Sequence, residues 1–240
     1  MGMRSDLFDV RHQEVSTDER FVLQSKRMLK VTLGDDVLAT KGAMVAFQGS
    51  VKFHHEGAGS VSRMIKKIVT SEDNPLMRVS GTGEVFFADA ASEIFLVSLE
   101  GDALSVNGRN LLVFDAALSW DIKRTKGAGM ISGGLFNTIL HGTGQVALTS
   151  DGDPMLLDCS REPTYVDVNA AVCWSANLVP QAVSSMNMKS MLRGGSGEAI
   201  QYAFSGPGFV VVQPSEGRQV QQKSSSSSVA SGLTEVIGSG

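Results

Sequence analysis

Four histidines, two cysteines and three groups of paired acids are the side chains of this 240-residue chain best equipped to bind metal, attack a substrate or carry protons. The densest group is His54-His55-Glu56. Adjacent residues of a strand point to opposite faces, so His54 and His55 do not readily share one metal. His54 and Glu56 fall on one side, but two ligands do not complete a zinc site. This group reads as a polar loop after a strand ending at Phe53. His141 stands directly before Gly142 and reads as a turn residue. Cys159 and Cys173 lie in apolar, strand-like contexts, where free cysteine behaves as a small buried hydrophobe. An enzymatic reading requires His54, Glu56 or Cys173 to converge with acids from a distant segment. The acids themselves, Asp35-Asp36, Glu72-Asp73 and Asp151-Gly152-Asp153, sit in turn-like stretches, where Asp supports local hydrogen bonds. None offers the six or more oxygen ligands of a calcium site. The residues therefore predict no catalytic, metal or cofactor site, and no enzyme.

The glycine-rich steps receive the same reading. Arg193-Gly194-Gly195-Ser196-Gly197-Glu198 imitates a nucleophile elbow, but Glu198 occupies the place of the last glycine. It also lacks the Gly-Lys-Ser/Thr ending of a phosphate loop. Three Gly-x-Gly steps, at Gly81-Thr82-Gly83, Gly142-Thr143-Gly144 and Gly206-Pro207-Gly208, each lead into an apolar strand. A dinucleotide loop does the reverse, following a strand and opening a helix.

These steps belong to a repeat. The second glycines, Gly83, Gly144 and Gly208, are 61 and 64 residues apart. A second pattern runs out of phase: Lys41–Phe47 leads to Phe53, Gly108–Phe114 to Trp120, and Glu162–Val168 to Trp174. These aromatic ends are 67 and 54 residues apart. Met28–Leu33 alternates like a half-buried strand, Gly34-Asp35-Asp36 breaks it, and Val37–Thr40 resumes. Ile94–Leu99, Glu100-Gly101-Asp102 and Ala103–Val106 copy the arrangement. Asn107-Gly108 and Asp151-Gly152 are turn pairs of the kind that close hairpins. The prediction is a mainly β fold, a closed sandwich or barrel of three repeats with pseudo-threefold symmetry and short helical insertions. The repeats span about residues 20–80, 81–141 and 142–217.

The insertions precede the Gly-x-Gly strands. Ser60–Val69 places Val61, Met64, Ile65 and Ile68 at helical spacing, with Arg63, Lys66 and Lys67 opposite. Met130–Leu140 is a glycine-loosened second copy, and Val183–Leu192 a third, rich in methionine. Core packing accounts for most such faces. Methionine-rich surfaces also suit adaptable contacts, which makes Met64, Ile65, Ile68, Met186, Met188 and Met191 the expected interaction segment. Membrane-surface helices are longer and more basic, so peripheral membrane contact is not favoured.

Three segments, Lys41–Phe47 with Val51–Phe53, Gly81–Val85, and Gly197-Glu198 with Phe204–Gly208, resemble the altered-inheritance-of-mitochondria-twenty-four family. The resemblance covers about residues 1–217. It implies a bacterial member of unknown function, with a fold like that of the tryptophan RNA-binding attenuation protein. RNA binding is not implied, because fold does not carry function.

Composition bounds the rest. A 42% hydrophobic, 19% charged chain is an ordinary globular one. Its net charge of −4 argues against a broad phosphate-binding surface, so no nucleic-acid partner is expected. No apolar leader comes after Met1, and Asp6, Asp9 and Glu14 suit a mitochondrial import signal poorly, so the expected location is the cytoplasm. Residues 1–217 read as one domain and 218–240 as a flexible tail with five consecutive serines. The expected function is non-enzymatic binding or scaffolding, with self-association or a protein partner. The alternative is a small-ligand or lipid-binding module, with a pocket between repeats.

Overall fold

The structure, a computed structural model, describes residues 3–55, 76–124, 136–183 and 200–216. Fifteen strands account for most of these: β1 (Phe21–Ser25), β2 (Met28–Leu33), β3 (Val37–Thr40), β4 (Met44–His55), β5 (Leu76–Phe87), β6 (Glu93–Asn107), β7 (Leu111–Asp115), β8 (Ser119–Arg124), β9 (Phe136–Ser150), β10 (Met155–Asp158), β11 (Thr164–Asp167), β12 (Ala171–Ser175), β13 (Gln181–Val183), β14 (Gln201–Phe204) and β15 (Phe209–Val212). Among the described residues the helices are single 3-10 turns, at Asp6–Phe8, Val10–His12 and Gly108–Asn110.

One pairing scheme occurs three times. A bent strand lies between two antiparallel neighbours. β5 lies between β2 with β3 on one side and β4 on the other. β9 lies between β6 and β7 with β8. β14 with β15 lies between β10 with β11 and β12 with β13. The three units then join through their edges. β3 of the first unit pairs with β7 of the second, and β6 of the second pairs with β12 of the third. The result is an open twelve-stranded sheet from β1 to β10 beside a three-stranded sheet β11-β14-β13. The mainly β expectation holds. The closed barrel does not, because no strand pairing joins the third unit back to the first among the described residues.

The glycine steps also differ from expectation. Gly81 and Gly83 lie in the middle of β5, and Gly142 and Gly144 in the middle of β9, rather than at strand starts. They are bends. Gly83 has φ +137°, and a side chain there would overlap the Gln48 carbonyl oxygen of β4. The bend frees the N–H of the next residue, and a neighbouring side chain collects it. Gln145 N donates to Asp115 Oδ2 at 2.7 Å, and Phe209 N donates to Ser175 Oγ at 3.0 Å.

Other turn signals are reassigned by the pairings. Glu100-Gly101-Asp102 is a bulge inside the continuous β6. Asn107-Gly108 does turn the chain, but β6 and β7 then flank β9 instead of pairing as a hairpin. Trp174 is not the counterpart of Phe53 and Trp120. It pairs with Val210, as Phe114 does with Val146 and Phe47 with Val85, so Phe47, Phe114 and Trp174 are equivalent. Phe136–Leu140, read as part of an insertion, belongs to β9. The segments holding Met64, Ile65, Ile68, Met186, Met188 and Met191, and the tail 218–240, lie outside the described residues.

Three apolar clusters fill the units. Val31, Val37, Val79 and Phe87 centre the first; Leu104, Phe114, Leu140 and Val146 the second; Trp174, Tyr202, Phe204 and Val210 the third. Lys30, which alternation places toward solvent, is buried in the first unit. Its ammonium meets Glu84 at 2.9 Å and the Val15 carbonyl at 2.5 Å, which compensates for lost hydration.

Candidate functional site

Among the described residues, the side chains with catalytic potential do not converge. His54 is exposed on β4, whereas Cys173 is buried on β12. Burial pushes the Cys173 thiol up to about 12, which makes it a poor nucleophile. Glu56 and Glu72-Asp73 lie outside the described residues. Cys159 is also a buried free thiol. Among the described residues, no group of three or more His, Cys, Asp or Glu side chains is placed to hold a metal.

Two other features stand out. The first is two of the free sheet edges, β4 and β11, whose equivalents in the other units are paired. Leu111–Asp115 and Ala171–Trp174 are buried because a strand of the preceding unit lies against each. Their equivalent in the first unit, Val45–Gln48, is exposed, because among the described residues β4 pairs with β5 alone. Phe114 and Trp174 are 0% and 1% exposed, whereas Phe47 is 46% exposed. Phe47 stacks edge-on against Phe53 at 5.4 Å between ring centres, and Gln48 Nε2 donates to Glu14 at the end of this edge.

The complementary strand is left over in the same way. β3 and the second half of β6 are buried in joints, whereas among the described residues β11 pairs only with β14 and exposes Tyr165 by 60%. Met155 and Leu156 of neighbouring β10 are also exposed. The chain therefore ends in two unmatched halves of a joint that it makes twice inside itself.

The second feature is a polar cleft of about 600 Å³ where loops of all three units meet. The first unit and the loop leaving it supply Asp89–Ser92, the second Glu93, Arg109, Asn110 and Thr149–Gly152, and the third Asn169, Gln213 and Ser215. Gln213 ties the walls together. Its Oε1 accepts from Asn110 Nδ2 and from the Asp151 N–H, both at 3.1 Å. Its Nε2 donates to the Asn169 and Ser215 carbonyls at 3.2 and 3.0 Å. Ala90 and Ala91 hold φ of +45° and +61°, a conformation alanine rarely adopts. Beside them, partial burial and then the Asp151 charge raise the Asp89 pKa above its ordinary range. Arg27 and Arg109 line the cleft with these acids, so it offers both signs of charge.

Sequence reasoning missed both features. Phe47 and Tyr165 lie inside repeat segments, and neither residue is marked out from its neighbours there. The signal lies in the alignment of units: with Trp174 set against Phe114, the first unit's equivalent is Phe47, which no preceding unit covers.

No functionally curated protein matches the chain. The crystal structure of a Streptococcus pyogenes protein is similar, with a TM-score of 0.65 and 19% identity over 80% of this chain and 91% of that one. At that identity the likeness concerns the fold alone. The family described as Mitochondrial biogenesis AIM24 matches residues 21–215. The chain belongs to the AIM24 family.

Proposed function

We propose that this protein is a non-enzymatic binding or scaffolding protein that works by self-association. The observation that carries this reading is the exposure of Val45–Gln48, whose counterparts in the other two units are buried under a paired strand. An uncovered edge with Phe47 and Val45 exposed is a template for strand addition. The buried free thiols and the scattered histidines fit a protein without covalent chemistry, and the unpaired cysteines suit a reducing cytoplasm. The threefold pairing scheme supports an architecture like the tryptophan RNA-binding attenuation protein. Light scattering across a hundredfold concentration range tests the reading. A mass above one chain at the upper end is expected, and a strict monomer throughout overturns it.

The cleft favours a second reading, the binding of a small polar ligand carrying both charges. Its strained Ala90-Ala91 wall and the raised Asp89 carboxyl are features that binding sites accumulate. The polar lining fits such a ligand better than a lipid. Free amino acids raising the melting temperature of the native chain, but not of Asp89→Asn or Arg109→Ala, would support it; no shift with any of them would remove it.

A further inference from the structure

We infer that copies of this chain join head to tail, β11 of one adding to β4 of the next in an antiparallel register that sets Tyr165 opposite Phe47. The inference rests on the self-association reading and specifies its partner and geometry.

The register comes from the two joints already made. In the first, Leu38 of β3 stands opposite Phe114 of β7, with Ala39 opposite Val113 and Val37 opposite Asp115. In the second, Ser105 of β6 stands opposite Trp174 of β12, with Val106 opposite Cys173 and Leu104 opposite Ser175. Position within each unit is fixed by the bent strand. Leu38 pairs with Arg78, Ser105 with Ile139 and Tyr165 with Ala203, each five residues before the second glycine of its step. Phe47, Phe114 and Trp174 pair with Val85, Val146 and Val210, each two residues after it. Continuing the series places Tyr165 against Phe47, Val166 against Ala46 and Thr164 against Gln48.

The β4 edge carries the same preparation as its counterparts. A bulge lies between Met44 and Ala46, as between Leu111 and Val113 and between Ala171 and Cys173. The bulge sets the twist with which the strand meets its neighbour. The two unmatched strands bear two of the chain's most exposed aromatic rings, Phe47 at 46% and Tyr165 at 60%. An aromatic pair across antiparallel strands is a favourable contact. The two halves differ, so the contact is heterologous: each copy offers one end to each neighbour, and the rotation between copies decides whether a ring closes or a filament grows.

Capping separates this from other modes. Phe47→Lys blocks the β4 end, and Tyr165→Lys blocks the β11 end. Both side chains are exposed, so folding is expected to survive and is checked by circular dichroism; Phe47→Ser and Tyr165→Ser repeat the test without added charge. Each variant alone is expected to be monomeric at concentrations where the native chain assembles. An equimolar mixture of the two is expected to give a species of twice the chain mass and nothing larger, since one intact joint remains per pair. A Tyr165→Lys or Phe47→Lys variant that still dimerises alone indicates like-to-like pairing and overturns the head-to-tail joint. Native-like assembly by both variants overturns the joint while leaving self-association standing. A native chain that is monomeric throughout removes both. Assembly by a chain that lacks residues 218–240, with the full-length chain monomeric, also overturns the proposal for the intact protein.

Discussion

Asp115 illustrates how one side chain serves two structural needs. One carboxylate oxygen pairs with Arg20, whose other guanidinium nitrogen donates to the Asp35 carbonyl at 2.7 Å. The second collects the Gln145 N–H released by the Gly142–Gly144 bend. In the third unit Ser175 does the second task with a hydroxyl and has no charge to hold. Asp115→Ala leaves both Arg20 and the Gln145 N–H without this partner, and is expected to cost about 2–4 kcal/mol in denaturant unfolding. Asp115→Ser restores the second bond in the manner of Ser175, and should recover about 1 kcal/mol of that loss. Equal destabilisation by the two variants would refute the capping role. Cys173 makes a further point at this scale. Its folded thiol titrates near 12, above the ordinary thiol range, so the unfolded chain loses its proton first as pH rises. Unfolding is therefore favoured between about pH 8.5 and 12, by up to about 1.4 kcal/mol per pH unit, and this contribution is absent below that window. The burial of Cys173 is legible in the sequence through its apolar neighbours. The burial of Lys30 is not, because strand alternation does not register the Val15 carbonyl and Glu84 that fold over its ammonium.

At the scale of elements, the glycine steps carry most of the architecture. Their recurrence is plain in the sequence, and so is the β character of the segments around them. Their role is not, because a bend inside a long strand and a turn before a short one use the same residues. Only pairing distinguishes them: Gly83 lies opposite both Leu33 and Gly49, inside a sheet. The same ambiguity makes the Gly101 bulge read as a turn and shifts the third unit's aromatic by several residues. Closeness of approach separates the glycines in a measurable way. At Gly83 a methyl group overlaps the Gln48 carbonyl oxygen, so the β4 backbone must shift to admit it, in addition to the cost of φ +137°. At Gly142 the nearest atom is Leu118 Cδ2 at 3.5 Å, an ordinary contact, so φ +124° is the whole penalty. Gly142→Ala should cost about 1–3 kcal/mol, and Gly83→Ala at least about 2 kcal/mol more. Chemical denaturation of the two variants measures the difference. Matching losses would mean that β4 moves aside and that the close approach imposes nothing.

For the whole molecule, a linear series of three units has unequal members. Among the described residues the second unit is joined on both sides, through β3–β7 and β6–β12, whereas the first and third are each joined by one strand pair. In arrays whose stability sums unit and interface terms, the ends open first. Amide hydrogen exchange on dilute, monomeric protein should therefore find the slowest amides in β6, β7 and β9 and faster exchange in β4 and β11. The head-to-tail joint adds a second expectation. At concentrations where copies associate, protection should appear at Ala46–Gln48 and Thr164–Val166 together, and β7 and β12, already covered, should change little. Protection confined to one of the two segments contradicts a joint made of both. Protection spread evenly over the sheet would trace the association to general tightening instead of edge pairing. The outcome also separates assembly from ligand binding, because a ligand in the cleft would protect Asp89–Glu93 and Thr149–Gly152, which belong to neither edge.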